Sequence, residues 1–208
     1  MSFFCVRIDL DYVPWDTPDA QQFGHGEPAM LLRLLELGRQ TGSRWHFFAS
    51  ERALRAFPTG TDAVLNDGHD LDYLAKHPTD IGRAAEAVRL MASAGHSIRG
   101  WAVRGGLPGE FSPSGVEFLS GPADTVTRLR LFPTEGRGLH ETIRQGGSLR
   151  SWLTETIEGL QGEVTVVVTP QVLARVDPKL EGLKELLRAA RAAELPLRTL
   201  REAMATGQ

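Results

Sequence analysis

The chain has 208 residues and a formal net charge of −3, a length that suits one domain of ordinary to large size. Hydrophobic residues make up 41% and charged residues 24%, which argues against a disordered chain. Acids interspersed among the arginines argue against a nucleic-acid footprint.

The single cysteine, Cys5, lies in an apolar run and cannot form an intrachain disulfide, so the chain does not depend on an oxidising compartment. No apolar stretch approaches the roughly 20 residues of a membrane span. Met1 to Arg7 lacks a basic leader, a long apolar core and a cleavage site. The expectation is a cytoplasmic protein of one domain, residues 1–208, with neither membrane nor nucleic acid among its partners.

In chain order, Phe3 to Leu10 is aromatic and β-branched and predicts a buried strand. A loop rich in Pro and Gly follows, and Pro28 opens a helix to about Arg39. Arg44 to Ala49 predicts a second strand, and Ser50 caps a short helix ending near Phe57. Ala63 to Leu65 is a weak third strand candidate. Thr79 starts a helix with Ile81, Ala84, Ala85, Val88 and Met91 at helical spacing, stopped by Gly95. Ser97 to Val103 is the next strand.

Gly105 to Gly147 is rich in Gly and Pro, with short strand candidates at Val116–Leu119 and Arg128–Phe132. Leu149 to Leu160 is helical. Glu163 to Thr169, with four valines, is the clearest buried strand. Leu180 to Ala193 is an amphipathic helix. Leu197–Thr199 is a last short strand, and Leu200–Ala205 a last helical turn. Strands alternating with helices imply βα units and a largely parallel sheet, which places an active site at the C-terminal ends of the strands.

Asp9 and Asp11 stand two apart at the end of the first strand and project from one face. Such a pair suits a metal ligand beside a general base. Equally, Asp9 can pair with Arg7 on the same face, leaving Asp11 exposed in a loop. The segment Gly68-His69-Asp70-Leu71-Asp72-Tyr73-Leu74-Ala75-Lys76-His77-Pro78 brings imidazoles and carboxylates together in types that suit zinc, though surface-loop histidines read the same way. His46 alternates within a strand and reads as structural. Trp15 offers a flat face for a sugar ring, and His25 lies between two glycines on the loop after the first strand. Dinucleotide, Walker and nucleophile-elbow motifs are missing.

The order of these pieces resembles the polysaccharide deacetylases (carbohydrate esterase family 4, the NodB homology domain). Arg7-Ile8-Asp9-Leu10-Asp11 resembles the first motif in its Asp-x-Asp form, and Trp45-His46-Phe47-Phe48 the second strand. Gly68-His69-Asp70-Leu71 and His77-Pro78 resemble the two ends of the histidine motif. Ile98-Arg99-Gly100-Trp101 resembles the arginine strand, and Val164 to Pro170 with Thr199-Leu200 the C-terminal end.

The resemblance implies a distorted, seven-stranded parallel β/α barrel and a zinc-type hydrolase of N-acetyl amides. It implies Asp9 as general base and Asp11 and His77 as metal ligands; His69, Asp70 or Asp72 can stand in to complete the metal shell. Tyr73, Trp15 and His25 would line the substrate site for a small soluble N-acetylated sugar or related amide. The chain departs from the pattern at three positions. Tyr73 stands where the first histidine of the pair belongs. Ala102 replaces the motif arginine, for which Arg104 on the same face can cover. Thr169 replaces the histidine expected as general acid, and a hydroxyl is a poor proton donor near neutral pH. These departures keep open the alternative of a catalytically inactive binding or regulatory barrel.

Overall fold

The computed structural model describes residues 2–11, 27–75, 82, 84–93, 95–104, 110–134 and 138–206. Among them, seven strands form one sheet: β1 (Phe3–Leu10), β2 (His46–Ala49), β3 (Asp70–Ala75), β4 (Gly100–Val103), β5 (Phe118–Gly121), β6 (Arg130–Pro133) and β7 (Glu163–Val168). Every pairing is parallel, and the order is β6-β5-β4-β3-β2-β1-β7.

The helices are α1 (Glu27–Thr41), α2 (Glu51–Ala56), α3 (Pro58–Asn66), α4 (Ala84–Ser93), α5 (Leu139–Arg144), α6 (Leu149–Glu158), α7 (Pro170–Val176), α8 (Glu181–Ala192) and α9 (Leu200–Thr206). The sheet curls until its edge strands approach: Arg130 of β6 pairs with Glu163 of β7, and the rings of Phe3 and Phe132 meet edge to face at 5.8 Å. The result is the distorted, nearly closed parallel β/α barrel that the sequence predicts.

Strand alternation divides the apolar residues between two cores. Phe3, Cys5, Phe48, Leu74, Ala102, Phe118 and Phe132 face inward and meet Leu200 and Ala203 of α9. The opposite faces, with Val6, Ile8, Phe47, Leu71, Val164 and Val166, pack under the helices. α9 lies at the N-terminal end of the strands. The chain reaches it by pairing with the start of β1, through Phe4 N to Pro196 O at 2.9 Å and Arg198 N to Phe4 O at 3.0 Å.

Three expectations need correction. Ala63 to Leu65 lies in α3, a helix opened by Pro58 in its first turn and followed by Gly68 at φ 76°. The third strand falls later, on Asp70–Ala75, where a ligand-bearing loop was expected. There Leu71, Tyr73 and Ala75 alternate toward the helices, with Leu74 facing the barrel interior. The strand expected at Leu197–Thr199 shrinks to one bridge, Phe4 to Leu197.

Candidate functional site

The C-terminal end of the barrel is built on β1. Its alternation sends Arg7 and Asp9 into the interior, where both are fully buried. Arg7 Nε donates to Asp9 Oδ1 at 2.7 Å and Nη2 to Oδ2 at 2.9 Å, a bidentate pair between residues two apart. Arg7 Nη1 donates across the barrel to the carbonyl and hydroxyl of Ser120 on β5, at 2.9 and 3.1 Å. The guanidinium lies 5.3 Å from the centre of the Phe48 ring. A second cation arrives from beyond β4: Arg104 Nε donates to Asp9 Oδ2 at 2.8 Å.

Three guanidinium N–H groups therefore converge on one carboxylate. Burial alone would push the Asp9 carboxyl up; Arg7 and then Arg104 outweigh it and hold the group below the usual aspartate value. Burial alone would lower Arg104, and the nearby Asp9 and Asp11 carboxylates reverse this and raise it. The Arg104 Nη2 atom is buried without a hydrogen-bond partner.

Asp11 is buried just past the end of β1, where the alternative reading had left it in a loop. Ser50 Oγ donates to Asp11 Oδ1 at 3.1 Å and itself caps α2 by accepting Ala53 N at 3.1 Å. Gln171 of α7 donates to the Asp11 carbonyl at 2.8 Å, so the starts of α2 and α7 are both tied to the end of β1. Thr169 follows β7 and is buried. Beside Asp11 a cavity of about 310 Å³ is lined mainly by apolar groups, among them Leu10, Leu31, Ala53 and Phe57.

The remaining sequence-derived candidates separate. His69 precedes β3 and so lies at the N-terminal edge of the sheet, the end away from Asp11. Its Nδ1 accepts Trp45 N at 3.2 Å. A Cβ at Gly38 would come within 2.8 Å of its Cε1 and 3.1 Å of its Nε2, so the ring packs closely against Gly38. Tyr73 is buried on the helix-facing side of β3, its ring 5.0 Å from that of Trp101. His77, Trp15 and His25 lie outside the described residues.

Among the described residues the mouth does not hold a complete zinc shell. The described ligand set at the mouth is one carboxylate, Asp11, with the Arg104 cation close enough to feel it; Asp9 is committed to two arginines. What sequence reading missed is the joint use of Arg7 and Arg104 on Asp9. Its signal was the two-residue spacing of Arg7 and Asp9, which the pairing alternative had used.

No protein-family model and no curated protein matches the chain. Among solved structures it is similar to a probable polysaccharide deacetylase from Pseudomonas aeruginosa, with TM-score 0.73, 12% identity, and coverage of 96% of this chain and 88% of that one. It is similar to a PuuE allantoinase, with TM-score 0.72, 11% identity, and coverage of 94% and 86%. It is also similar to a family 4 carbohydrate-esterase pseudoenzyme from Bacillus anthracis, with TM-score 0.60 and 11% identity; the match covers 94% of this chain and 62% of that protein's length. At such identities the likeness establishes the fold alone.

Proposed function

We propose that this chain, which has the polysaccharide-deacetylase fold, is a catalytically silent barrel that binds or regulates and does not hydrolyse. The observation that carries this reading is the clamp on Asp9. A general base needs contact with water and a pKa near the working pH, whereas Asp9 is wholly buried and held below the usual aspartate value. Both Asp9 oxygens accept guanidinium hydrogens inside the barrel, and taking a proton would break a buried ion pair.

Two further features support it. Thr169 offers a hydroxyl where the family resemblance calls for a proton-donating histidine. The Arg104 guanidinium also lies near Asp11, where its charge opposes a divalent cation. One structural neighbour is described as a pseudoenzyme, with a mutant that has restored activity. Loss of chemistry on this architecture therefore has a precedent. Among the described residues, one space open to a ligand is the largely apolar cavity beside Asp11, which suits a small molecule with an apolar body.

The test pairs metal content with hydrolysis. Purified chain, supplied with zinc or cobalt, is incubated with N-acetylglucosamine oligomers and with small N-acetyl amides, and acetate release is followed. The expected result is no stoichiometric metal and no acetate above the protein-free rate. Metal-dependent release that disappears in Asp9→Asn would overturn the proposal and restore the hydrolase.

A further inference from the structure

A second polar cluster lies at the opposite end of the barrel, in its floor. His46 is fully buried there, stacked on Phe48 at 4.4 Å and met edge-on by Phe118 at 5.7 Å. Its Nδ1 accepts the backbone N–H of Leu200 at 3.0 Å. Its Nε2 lies 3.0 Å from Asp72 Oδ2. A backbone N–H can only donate, so Nδ1 carries no hydrogen, and the ring is neutral with its proton on Nε2, donated to Asp72.

Asp72 accepts three more bonds: Arg201 Nε at 3.0 Å, Arg201 Nη2 at 2.7 Å and Arg99 N at 2.7 Å. Arg201 Nη2 also reaches the carbonyls of Leu71 and Ser97 at 3.0 and 2.8 Å. The first N–H of α9 and its arginine are thus both fastened to the His46–Asp72 pair.

The charged and titratable groups around the imidazole are few. β1 contributes Arg7, its register partner, already bound to Asp9, and Cys5. β3 contributes Asp70, its other register partner, and Asp72. Ahead of β4 stands Arg99, paired with Glu117. α9 contributes Arg201 and Glu202, the latter paired with Arg44. A second proton on the ring has one place to go, Nδ1, where it would confront the Leu200 N–H. Asp72 would attract that charge, but Arg201 already neutralises it. A buried imidazolium without a fresh acceptor is costly, and lifting α9 would admit water to supply one.

We propose that the His46–Asp72 pair is a proton-sensitive latch for α9: protonation of His46 releases the helix and opens the barrel from its floor. The chain carries its own reporter. Cys5, its single cysteine, is buried against Leu200 and Ala203 of α9.

The experiment measures modification of Cys5 in the full chain by a dipyridyl disulfide reagent, which reacts in acid, relative to a cysteine peptide at the same pH. The expected relative rate is about tenfold or more higher at about pH 5 than at about pH 7.5, with the near-ultraviolet circular dichroism unchanged. His46→Asn keeps an acceptor for Leu200 N that does not titrate, so the acceleration should vanish. Arg201→Gln should raise the rate already at the higher pH. A flat pH profile, an acceleration that survives in His46→Asn, or one that appears only as the near-ultraviolet signal collapses would each overturn the latch. If His46→Asn does not fold, Arg201→Gln decides: unchanged Cys5 reactivity at the higher pH would overturn it.

Discussion

A guanidinium enclosed in a barrel is tolerated only with its hydrogens satisfied, and Arg7 meets that condition partly on its own strand, through Asp9, and partly across the barrel, through Ser120. Removing one partner is therefore far worse than removing both. Asp9→Ala should destabilise the fold by about 3–5 kcal/mol in urea unfolding, and the double change Arg7→Met, Asp9→Leu should cost clearly less. A double-mutant cycle that finds the two single losses additive would contradict the pairing.

The pH dependence has a definite sign. Asp9 and Asp72 are both held below the ordinary aspartate value of 3.8, burial being outweighed in Asp9 by Arg7 and Arg104, and in Asp72 by His46 and Arg201. The unfolded chain takes up protons first, so this stabilisation is complete above 3.8 and fades as the pH falls through the lower folded-state values. The alternatives for Asp9 were legible in the sequence because a strand puts residues two apart on one face. The choice between them was not, because it depends on Arg104, which joins Asp9 across the barrel from 95 positions away.

Elements were more legible than partners. β1 and β7 match their expected runs because a strand buried on both faces is rich in aromatic and β-branched residues, even where Arg7 and Asp9 interrupt the run. α8, expected over Leu180 to Ala193, runs Glu181–Ala192, its Leu183, Leu186, Leu187 and Ala190 lining the buried face. β3 was misplaced for a physical reason: Asp70, Asp72 and His69 look like loop chemistry, and only the fold shows Asp72 turned inward onto His46 and Arg201. α5 was hidden in a stretch rich in glycine, where composition outweighs a single turn of pattern.

α6 offers a clean test at this scale. Ser148 Oγ accepts Ser151 N at 3.1 Å, while Ser151 Oγ accepts Ser148 N at 2.9 Å, a reciprocal cap at an exposed helix start. Ser148→Ala should lower stability by about 1 kcal/mol, read as a shifted urea midpoint with an unchanged slope.

For the molecule as a whole, closure of the barrel rests on apolar contact more than on charge. The Arg130–Glu163 pair that bridges the edge strands is largely open to solvent, with side chains 48% and 28% exposed. Glu163→Gln should cost no more than about 1 kcal/mol, less still in high salt. Phe132 packs edge-on against both Phe3 and Phe118 inside the barrel, and Phe132→Ala should cost about 3–5 kcal/mol. Chemical denaturation of the two variants at low and high salt ranks the contributions, and equal losses would show that the ion pair governs closure.

The place of β1 in the strand order has a consequence for how the chain is made. Its eight residues emerge about 150 positions before β7, yet one of its two hydrogen-bonding edges belongs to that strand, at Glu163–Val168. At about 5–20 residues per second, that edge stays unpaired on the ribosome for on the order of ten seconds. Throughout that interval the nascent chain displays an aromatic, aliphatic strand with an open ladder, the form in which strands are most prone to join a neighbour's. Among the described strands the last to be made thus completes β1, and until then neighbouring nascent chains on one message each display the same unfinished edge.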